Sequence, residues 1–338
     1  MNVRGQRGKL IRLFLLVCLF FVGCQGTPHV YKRSQMLMGT LVFVTAIGPD
    51  ESTAQSATEK GLREIRRLEE LLSTWIPSSE LSRVNAAAGQ EAVSVSPETF
   101  EVIRQSLEMA RLTEGGFNIA VGPAVAAWDA GGTGNIPTRQ ELEALRPRVD
   151  LSQIQLNDRL QTIRLGRAGM QLDVGGIGKG YAADLAAKVM RDAGASAGVV
   201  AISGDIKTFG RMPDHERFVF GIQHPRKEQG EILGRIELEN EAVSTAGDYQ
   251  RYFEKDGVRY HHILDPLTLQ PAKGCQSVTI IAKEGVIADG LDTGIFVMGP
   301  EKGMTLIEAL PDVEGVIVAQ DGHVSVSSGL LGRFKPEK

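Results

Sequence analysis

The segment from Gln171 to Asp184, QLDVGGIGKGYAAD, most constrains what this chain can fold into. It places one acid (Asp173), one lysine (Lys179) and several glycines directly before an Ala-rich helical pattern. Glycines let the backbone approach a ligand closely, and the unpaired N–H groups at a helix N-terminus favour an anion. The segment therefore predicts a loop-to-helix junction that holds a phosphate-bearing ligand.

The glycine spacing matches neither of two familiar phosphate-binding motifs. Lys179 is followed by Gly180 instead of Ser or Thr, which excludes a P-loop. Counted from Gly176, the third glycine position of a dinucleotide-binding fingerprint falls on Tyr181. A tight turn whose glycines serve packing, with Lys179 in solvent, remains open as an alternative.

The N-terminus has the pattern of a targeting segment. Basic residues precede the apolar run Leu13 to Val22, which ends at Gly23-Cys24. About ten helical residues span ~15 Å, half of a bilayer core, so the run fits a signal peptide better than a membrane span. Residues 1–23 are therefore predicted to be a secretory signal. The small residue before Cys24 resembles a bacterial lipobox, which predicts that Cys24 carries lipid; ordinary cleavage or an uncleaved anchor are the alternatives.

Cysteine usage and charge narrow the class of protein further. Cys18 would leave with the signal and Cys24 would be lipidated, so Cys275 has no partner for an internal disulfide and is expected to be a small buried residue. The net charge is −4, and no basic block follows the signal, which argues against nucleic-acid binding. Residues 24–35 are predicted to be a tether, and residues 36–335 one domain within a mature chain of roughly 310 residues.

The periodicity of the chain predicts an α+β fold with mixed, largely antiparallel sheets flanked by helices. Gln35 to Ile47 is predicted to be one strand, Ser73 to Asn85 a polar loop and Gly131 to Arg148 a surface excursion. The helices are predicted at Ser52–Ser73, from Pro97 with Ser96 as N-cap, and at Tyr181–Ala193, Ile287–Val297 and Met304–Leu310. Later strands are predicted at Val199–Ile202, Phe218–Ile222, Gly234–Leu238, Tyr249–Glu254, Val258–Ile263 and Ser277–Ala282, with a final hairpin at Asp321-Gly322.

Two late clusters contain residues suited to catalysis. His262 and Asp265 follow a predicted strand, and a His–Asp pair can move a proton near neutral pH. Asp289 and Thr293 share a helix face, with Asp292 beside them. Carboxylate and hydroxyl oxygens suit Mg²⁺. Solvated histidines at a hairpin end, and acids that only cap a helix, are the alternatives.

The order of the motifs along the chain resembles the FAD:protein FMN transferase family, the ApbE-type flavin transferases. The resemblance covers nearly the whole mature chain. The motifs, in series, are Met38-Gly39-Thr40, the loop from Trp75 to Asn85, Gly116 to Pro123, Leu172 to Asp184, Gly204-Asp205, Gly247-Asp248-Tyr249, His262 to Pro266 and Ala288 to Thr293.

The resemblance implies an ApbE-like fold with a flavin cleft. Trp75 stands where Tyr is common in the family, and Asn118 stands where Asp is more usual. The residues that match FAD-binding positions are Met38, Trp75, Gly116, Phe117, Asn118, Asp173, Lys179 and Ile263. The carbonyl of Gly176, with Asp289 and Thr293, matches the magnesium site, and Asp292 is predicted to be a further magnesium ligand.

The activity implied by the resemblance is phosphoryl transfer with Mg²⁺ and FAD. A Thr or Ser hydroxyl of an acceptor protein would attack the FMN phosphorus and AMP would leave, with His262 and Asp265 as candidate catalytic residues. The implied partner is a flavoprotein subunit of a membrane redox complex, and the implied location is the periplasmic side of a bacterial membrane. An Mg²⁺-dependent FAD pyrophosphatase and a flavin-binding lipoprotein without catalysis are the alternatives.

Overall fold

The computed structural model of the protein describes residues 27–130, 132, 134–214 and 216–337. The predicted signal peptide and the predicted lipidation site Cys24 lie outside these residues and stay predictions. Within the described ranges, no helix is both long enough and apolar enough to cross a bilayer.

The helices of the described residues alternate with groups of strands along the chain. In chain order they are α1 (Glu51–Leu72), α2 (Glu80–Ala86), α3 (Pro97–Leu112), α4 (Gly122–Trp128), α5 (Arg139–Leu145), α6 (Gly178–Asp192), α7 (Gly285–Met298) and α8 (Pro300–Ala309).

The strands fall into one large sheet and four small ones. In chain order they are β1 (His29–Leu37), β2 (Thr40–Gly48), β3 (Val93–Ser94), β4 (Ile154–Asn157), β5 (Thr162–Leu165), β6 (Ala197–Ile202), β7 (Asp205–Phe209), β8 (Phe218–Gln223), β9 (Ile232–Leu238), β10 (Ala242–Gly247), β11 (Tyr252–Lys255), β12 (Val258–His261), β13 (Leu264–Asp265), β14 (Gln270–Pro271), β15 (Cys275–Ala282), β16 (Val313–Ala319), β17 (Val324–Val326) and β18 (Lys335–Pro336).

An eight-stranded sheet in the order β1-β2-β6-β7-β10-β15-β16-β17 forms the centre of the molecule. Helices α1, α6 and α7 pack on one of its faces. A three-stranded sheet, β18-β9-β8, covers part of the other face through apolar side chains such as Ile236, Val243 and Ile281. Strand β15 lies between these layers, so all of its residues are buried. The predicted α+β class is confirmed, and the strand pairs of the described residues are antiparallel.

The predicted first strand is instead a β-hairpin. Its turn is Met38-Gly39, with φ of 53° at Met38 and 70° at Gly39. Two positive φ values are the signature of a turn that joins two strands with no further residue. Apolar and β-branched residues continue on both sides of this turn, which is why the sequence pattern predicts one strand. The hairpin also takes in most of the predicted tether, because β1 starts at His29.

Two other segments predicted to be irregular contain helices. The loop after α1 includes α2, which starts at the N-cap Ser79. The predicted surface excursion includes α5, where Thr138 and Glu141 form a capping box. Both helices have only seven residues, too short for a clear 3.6-residue period.

The glycines of the Gln171–Asp184 segment are divided between a loop and a helix. Helix α6 starts at Gly178, so Gly180 lies inside its first turn. A Cβ at Gly180 would overlap the carbonyl oxygen of Gly285, and a Cβ at Gly285 would lie 2.6 Å from the carbonyl oxygen of Gly180. These two glycines therefore allow α6 and α7 to cross in backbone contact, which brings Lys179 beside the acids of α7.

Replacement of Gly180 by Ala is expected to reduce the free energy of unfolding by about 1–3 kcal/mol, because the new methyl group forces the two helices apart. Gly178→Ala is the matched control, since its Cβ would meet Val174 at an ordinary 3.4 Å. The control is expected to stay within about 1 kcal/mol of the wild type. Urea denaturation of the three proteins measures the difference; equal stability of both variants would contradict the crossing.

Candidate functional site

A cleft of about 1510 Å³ opens where several strand ends meet the first turn of α6 and the middle of α7. Its walls come from the β1–β2 turn, the loop after α1, the segment before α4, the glycine loop before α6, the β6–β7 turn and the chain after β12. Nearly all of the predicted site residues lie in it. Those that line the cleft are Met38, Trp75, Gly116, Phe117, Asn118, Asp173, Gly176, Lys179, His262, Ile263, Asp289, Asp292 and Thr293.

Three carboxylates converge at one end of the cleft. Asp289 and Asp292 come from α7, and Asp205 is the first residue of β7. One oxygen of each lies within 4.8 Å of the others, and the three residues are 2–4% exposed. Such a close group of buried acids is unfavourable unless a cation compensates it.

Lys179 supplies part of that compensation. Its Nζ contacts a carboxylate oxygen of Asp205 and lies 4.0 Å from Oδ1 of Asp289. Although burial opposes it, these carboxylates raise the pKa of Lys179, which is therefore a full cation. The lysine predicted to bind phosphate thus forms an ion pair inside the acidic cluster. One ammonium against three carboxylates leaves the cluster short of positive charge.

The remaining imbalance raises the pKa of two of the acids. Burial, together with repulsion from Asp205, raises the pKa of Asp289 to about 7. Burial, followed by repulsion from Asp289 and Asp205, raises the pKa of Asp292 well above its usual range. At neutral pH the cluster therefore holds protons that a stronger cation would displace.

Two hydroxyl groups extend this oxygen cluster. The Ser244 hydroxyl contacts Asp205 and lies 2.5 Å from Oδ2 of Asp292. The Thr293 hydroxyl donates to Oδ1 of Asp292 at 3.0 Å. Gly176 lies against Thr293, since a Cβ built there would be 3.0 Å from Thr293 Oγ1. The residues predicted to bind magnesium are thus brought together.

The donor set fits a hard divalent cation. Buried carboxylate and hydroxyl oxygens are ligands that Mg²⁺ prefers, and the negative charge left after Lys179 provides the attraction. Among the described residues the cluster contains no Cys or His ligand, which argues against zinc.

His262 lies in the same cleft, and one nitrogen of its ring has no hydrogen-bond partner among the residues that the structure describes. Its Nδ1 lies 3.2 Å from the carbonyl oxygen of Arg251, which also accepts the His262 N–H at 3.1 Å. A carbonyl oxygen only accepts, so Nδ1 is the protonated nitrogen and Nε2 has the lone pair. Burial, with the nearby charge of Arg251, lowers the pKa of His262 to about 3. The imidazole is therefore uncharged at neutral pH.

Asp265 does not pair with His262, contrary to the sequence-based hypothesis. Its carboxylate accepts the N–H of Leu267 at 2.8 Å and the hydroxyl of Thr268 at 3.0 Å. An Asp that starts a turn satisfies backbone groups two residues on, so this side chain holds the β13–β14 turn. The Arg251 carbonyl, not Asp265, orients the histidine.

The cleft lining also includes the other predicted FAD-binding residues. Trp75 is 92% exposed and its ring is free to stack on a flat ligand. Asp173 accepts the N–H of Gly175 at 2.7 Å and shapes the glycine loop. Asn118 accepts the N–H of Ala120 and donates to the Val149 carbonyl, so its side chain supports the cleft wall.

Two residues of the cluster, Asp205 and Ser244, have no role in the sequence-based prediction. The only sequence signal at Asp205 is the Gly204-Asp205 motif, which follows a predicted strand. Ser244 lies in a short run of small residues within β10. The Ser244 hydroxyl reaches Asp205 39 positions and Asp292 48 positions away in the chain, so only the sheet brings the three together.

Comparisons with known proteins identify the family of the chain. The profile of the ApbE family matches residues 38–317. The chain belongs to the ApbE family. An FAD:protein FMN transferase of Vibrio cholerae is 32% identical over 341 residues, which is 98% of this chain and 99% of that protein. One of Treponema pallidum is 31% identical and covers 96% of this chain and 95% of its own length.

Solved structures of ApbE proteins share the fold. The ApbE protein of Thermotoga maritima superposes with a TM-score of 0.83 at 30% identity, over 91% of this chain and 100% of that one. The flavin transferase ApbE of Vibrio cholerae superposes with a TM-score of 0.80 at 30% identity, over 90% of this chain and 99% of that one. The eight-stranded sheet with its cleft is thus an ApbE fold.

The raised pKa values predict how the metal-free protein responds to pH. A carboxyl group whose pKa is higher in the folded than in the unfolded state destabilises the fold as pH rises between the two values. For Asp289 this window runs from about 4 to about 7. Asp292→Asn removes one of the three like charges and is expected to raise Tm at pH 8, in EDTA, by at least ~2 °C.

Differential scanning calorimetry at pH 6 and pH 8 measures this effect. The gain in Tm from Asp292→Asn is expected to be larger at pH 8, where the wild-type cluster is more fully ionised. A variant with the same or a lower Tm than the wild type at pH 8 would contradict the charge imbalance.

Proposed function

We propose that this protein is an FAD:protein FMN transferase. It transfers FMN from FAD to a Thr or Ser hydroxyl of an acceptor protein: the hydroxyl oxygen forms a phosphoester bond to the FMN phosphorus, the pyrophosphate bond breaks, and AMP leaves. The observation that carries this proposal is the buried oxygen cluster of Asp289, Asp292 and Thr293 in one cleft with the neutral base His262.

The size of the cleft supports a large substrate and a second reactant. Its volume of about 1510 Å³ exceeds the ~300–1000 Å³ of ordinary small-molecule sites. A dinucleotide has room there together with a segment of the acceptor. The ring of Trp75 would stack on the isoalloxazine ring of the flavin. The backbone at Gly116 and Phe117 would border the same ring.

The acidic cluster would hold Mg²⁺ through Asp289, Asp292, the Thr293 hydroxyl and the Gly176 carbonyl. When bound, the ion supplies positive charge beside the pyrophosphate. Lys179 keeps Asp205 and Asp289 ordered by its ion pairs, so the carboxylates do not have to reorganise during the reaction.

His262 takes the proton of the acceptor hydroxyl. Its Nε2 has the lone pair, and the Arg251 carbonyl fixes the ring by accepting from Nδ1. The proton that His262 receives passes to solvent after AMP leaves. Asp265 has no part in this step, because its carboxylate is committed to the turn.

The two alternatives to FMN transfer are FAD hydrolysis and flavin binding without catalysis, and they differ from transfer in their products. With water as the acceptor the same residues would act as an FAD pyrophosphatase and release free FMN and AMP. A flavin carrier would need no acidic cluster, and three buried carboxylates within 4.8 Å of one another are unfavourable for folding unless a cation compensates them. The cluster therefore favours an enzyme.

The location of the protein is part of the proposal. The basic and apolar pattern before Cys24 supports export, cleavage and lipid attachment at that cysteine. The protein would then work from the membrane surface on the periplasmic side, on an acceptor subunit of a membrane redox complex.

Incubation with FAD, Mg²⁺ and candidate acceptor proteins tests the function. Transfer gives a fluorescent acceptor band on a denaturing gel, hydrolysis gives free FMN and AMP without an acceptor, and a carrier gives neither. His262→Ala is expected to slow transfer by at least ~100-fold, because it removes the general base, while FAD binding remains. His323→Ala, in the exposed turn before β17, is the control; full transfer by His262→Ala would contradict its role.

Flavin stacking on Trp75 has a separate optical test. The chain has two tryptophans, Trp75 in the cleft and the buried Trp128. FAD is therefore expected to quench the fluorescence of the exposed one. Trp75→Ala should weaken FAD binding about fivefold, equivalent to ~1 kcal/mol of ring contact, and Trp75→Phe should restore most of it. Unchanged affinity in Trp75→Ala would exclude the stacking.

A further inference from the structure

Helices α6 and α7 cap each other through two aspartates. Asp289 of α7 accepts the N–H of Gly180 in the first turn of α6 at 2.8 Å. Asp184 of α6 accepts the N–H groups of Gly285 and Val286, the first two residues of α7, at 2.8 and 3.0 Å. Neither helix has a side-chain cap from its own N-cap residue.

The two caps are related by the crossing of the helices. Gly180 and Gly285 are in backbone contact, and each capping aspartate lies about one helical turn after the glycine of its own helix. One cap, at Asp289, belongs to the cleft. The other, at Asp184, lies outside the cleft lining and has no role in the proposed chemistry.

Lys207 of β7 holds the remote cap in place. Its Nζ lies 3.6 Å from Oδ1 of Asp184 and donates to the carbonyl oxygen of Lys283, just before α7. Lys207 is two residues after Asp205 on the same strand. The pair therefore connects the strand that supplies Asp205 to both helices that supply the rest of the cluster.

Burial weakens this ion pair. It raises the pKa of Asp184 and lowers that of Lys207, although the two charges attract each other. Buried pairs of this kind contribute little stability compared with apolar residues, and geometric specificity is one reason for their presence.

We propose that Asp184, held by Lys207, is a positioning residue for the metal ligands of α7. It fixes the start of α7 against α6, so that Asp289 keeps Oδ2 on the Gly180 N–H and leaves Oδ1 for a cation. This inference rests on the proposed function, because that function needs the metal. The positioning role itself can be tested by metal binding in the absence of FAD.

The test is the binding of Mn²⁺, as a probe for Mg²⁺, to the protein without FAD, followed by electron paramagnetic resonance. Groups that orient metal ligands typically change affinity 10- to 100-fold. Asp184→Ala is expected to raise the Kd for Mn²⁺ by about 10-fold, and the isosteric Asp184→Asn by less but in the same direction. If Asp184→Ala does not fold, the Kd of Asp184→Asn for Mn²⁺ tests the inference.

The variant Lys207→Met distinguishes a positioning role of Lys207 from a purely electrostatic effect of its charge on Mn²⁺ binding. Through-space electrostatics predicts that loss of a cation near the cluster tightens Mn²⁺ binding. Positioning predicts weaker binding, because Asp184 loses the group that holds it.

Glu80→Gln is the matched control for stability. Glu80 of α2 also caps a neighbouring helix, accepting from Ser96 and Thr99 at the start of α3, and it does not line the cleft. Its variant is expected to lower Tm while leaving the Kd for Mn²⁺ within twofold of the wild type.

The outcomes are distinct from those of the function assay. A Kd within twofold of the wild type in both Asp184 variants, or equal or tighter binding by Lys207→Met, would overturn the inference, as would a wild-type protein that binds no Mn²⁺. Failure of the wild type to transfer FMN while it binds Mn²⁺ would overturn the proposed function and leave the positioning role intact.

Discussion

The structure depends on the burial of Asp205, Asp289 and Asp292 around a single ammonium group, that of Lys179. In water such a group would ionise with little mutual effect, but in a desolvated site like charges repel strongly. The surrounding elements hold these acids together: β7 supplies one, α7 supplies two, and the first turn of α6 brings the lysine. The cluster therefore carries an excess of negative charge, which under the proposed function a divalent cation would balance.

The close helix crossing explains how the fold maintains this arrangement. Backbone contact at Gly180 and Gly285 leaves no space in which the helices can slide, and the two reciprocal caps fix both helix starts. The same carboxylate of Asp289 thus serves the helix and the site. His262 is placed independently, by the chain after β12 of a separate two-stranded sheet, so the imidazole and the acidic cluster reach one cleft from different parts of the fold.

Local signals in the sequence predict much of the fold. Ser96-Pro97 marks the start of α3, and the helical period of Glu51–Leu72 predicts α1 to within a residue. The sequence pattern does not predict β7 or β10, because β7 contains the charged residues Asp205 and Lys207 and β10 consists largely of small residues. The order of the motifs indicated the cleft residues through family resemblance. The hydrogen bond from Gly285 to Asp184 joins residues 101 positions apart, and the one from Gly180 to Asp289 joins residues 109 positions apart. No local sequence pattern predicts contacts over such separations.

The central claim is that the oxygen cluster is a cation site in which α6 and α7 present their groups to one ion. The anomalous scattering of Mn²⁺ in crystals of the wild-type protein tests it most directly. The account predicts one peak bound by Asp289, Asp292, the Thr293 hydroxyl and the Gly176 carbonyl, at the ~2.1 Å spacing of a hard octahedral ion. Crystals soaked in Mn²⁺ that show no peak at these groups, with Lys179 as the sole cation of the cluster, would contradict it.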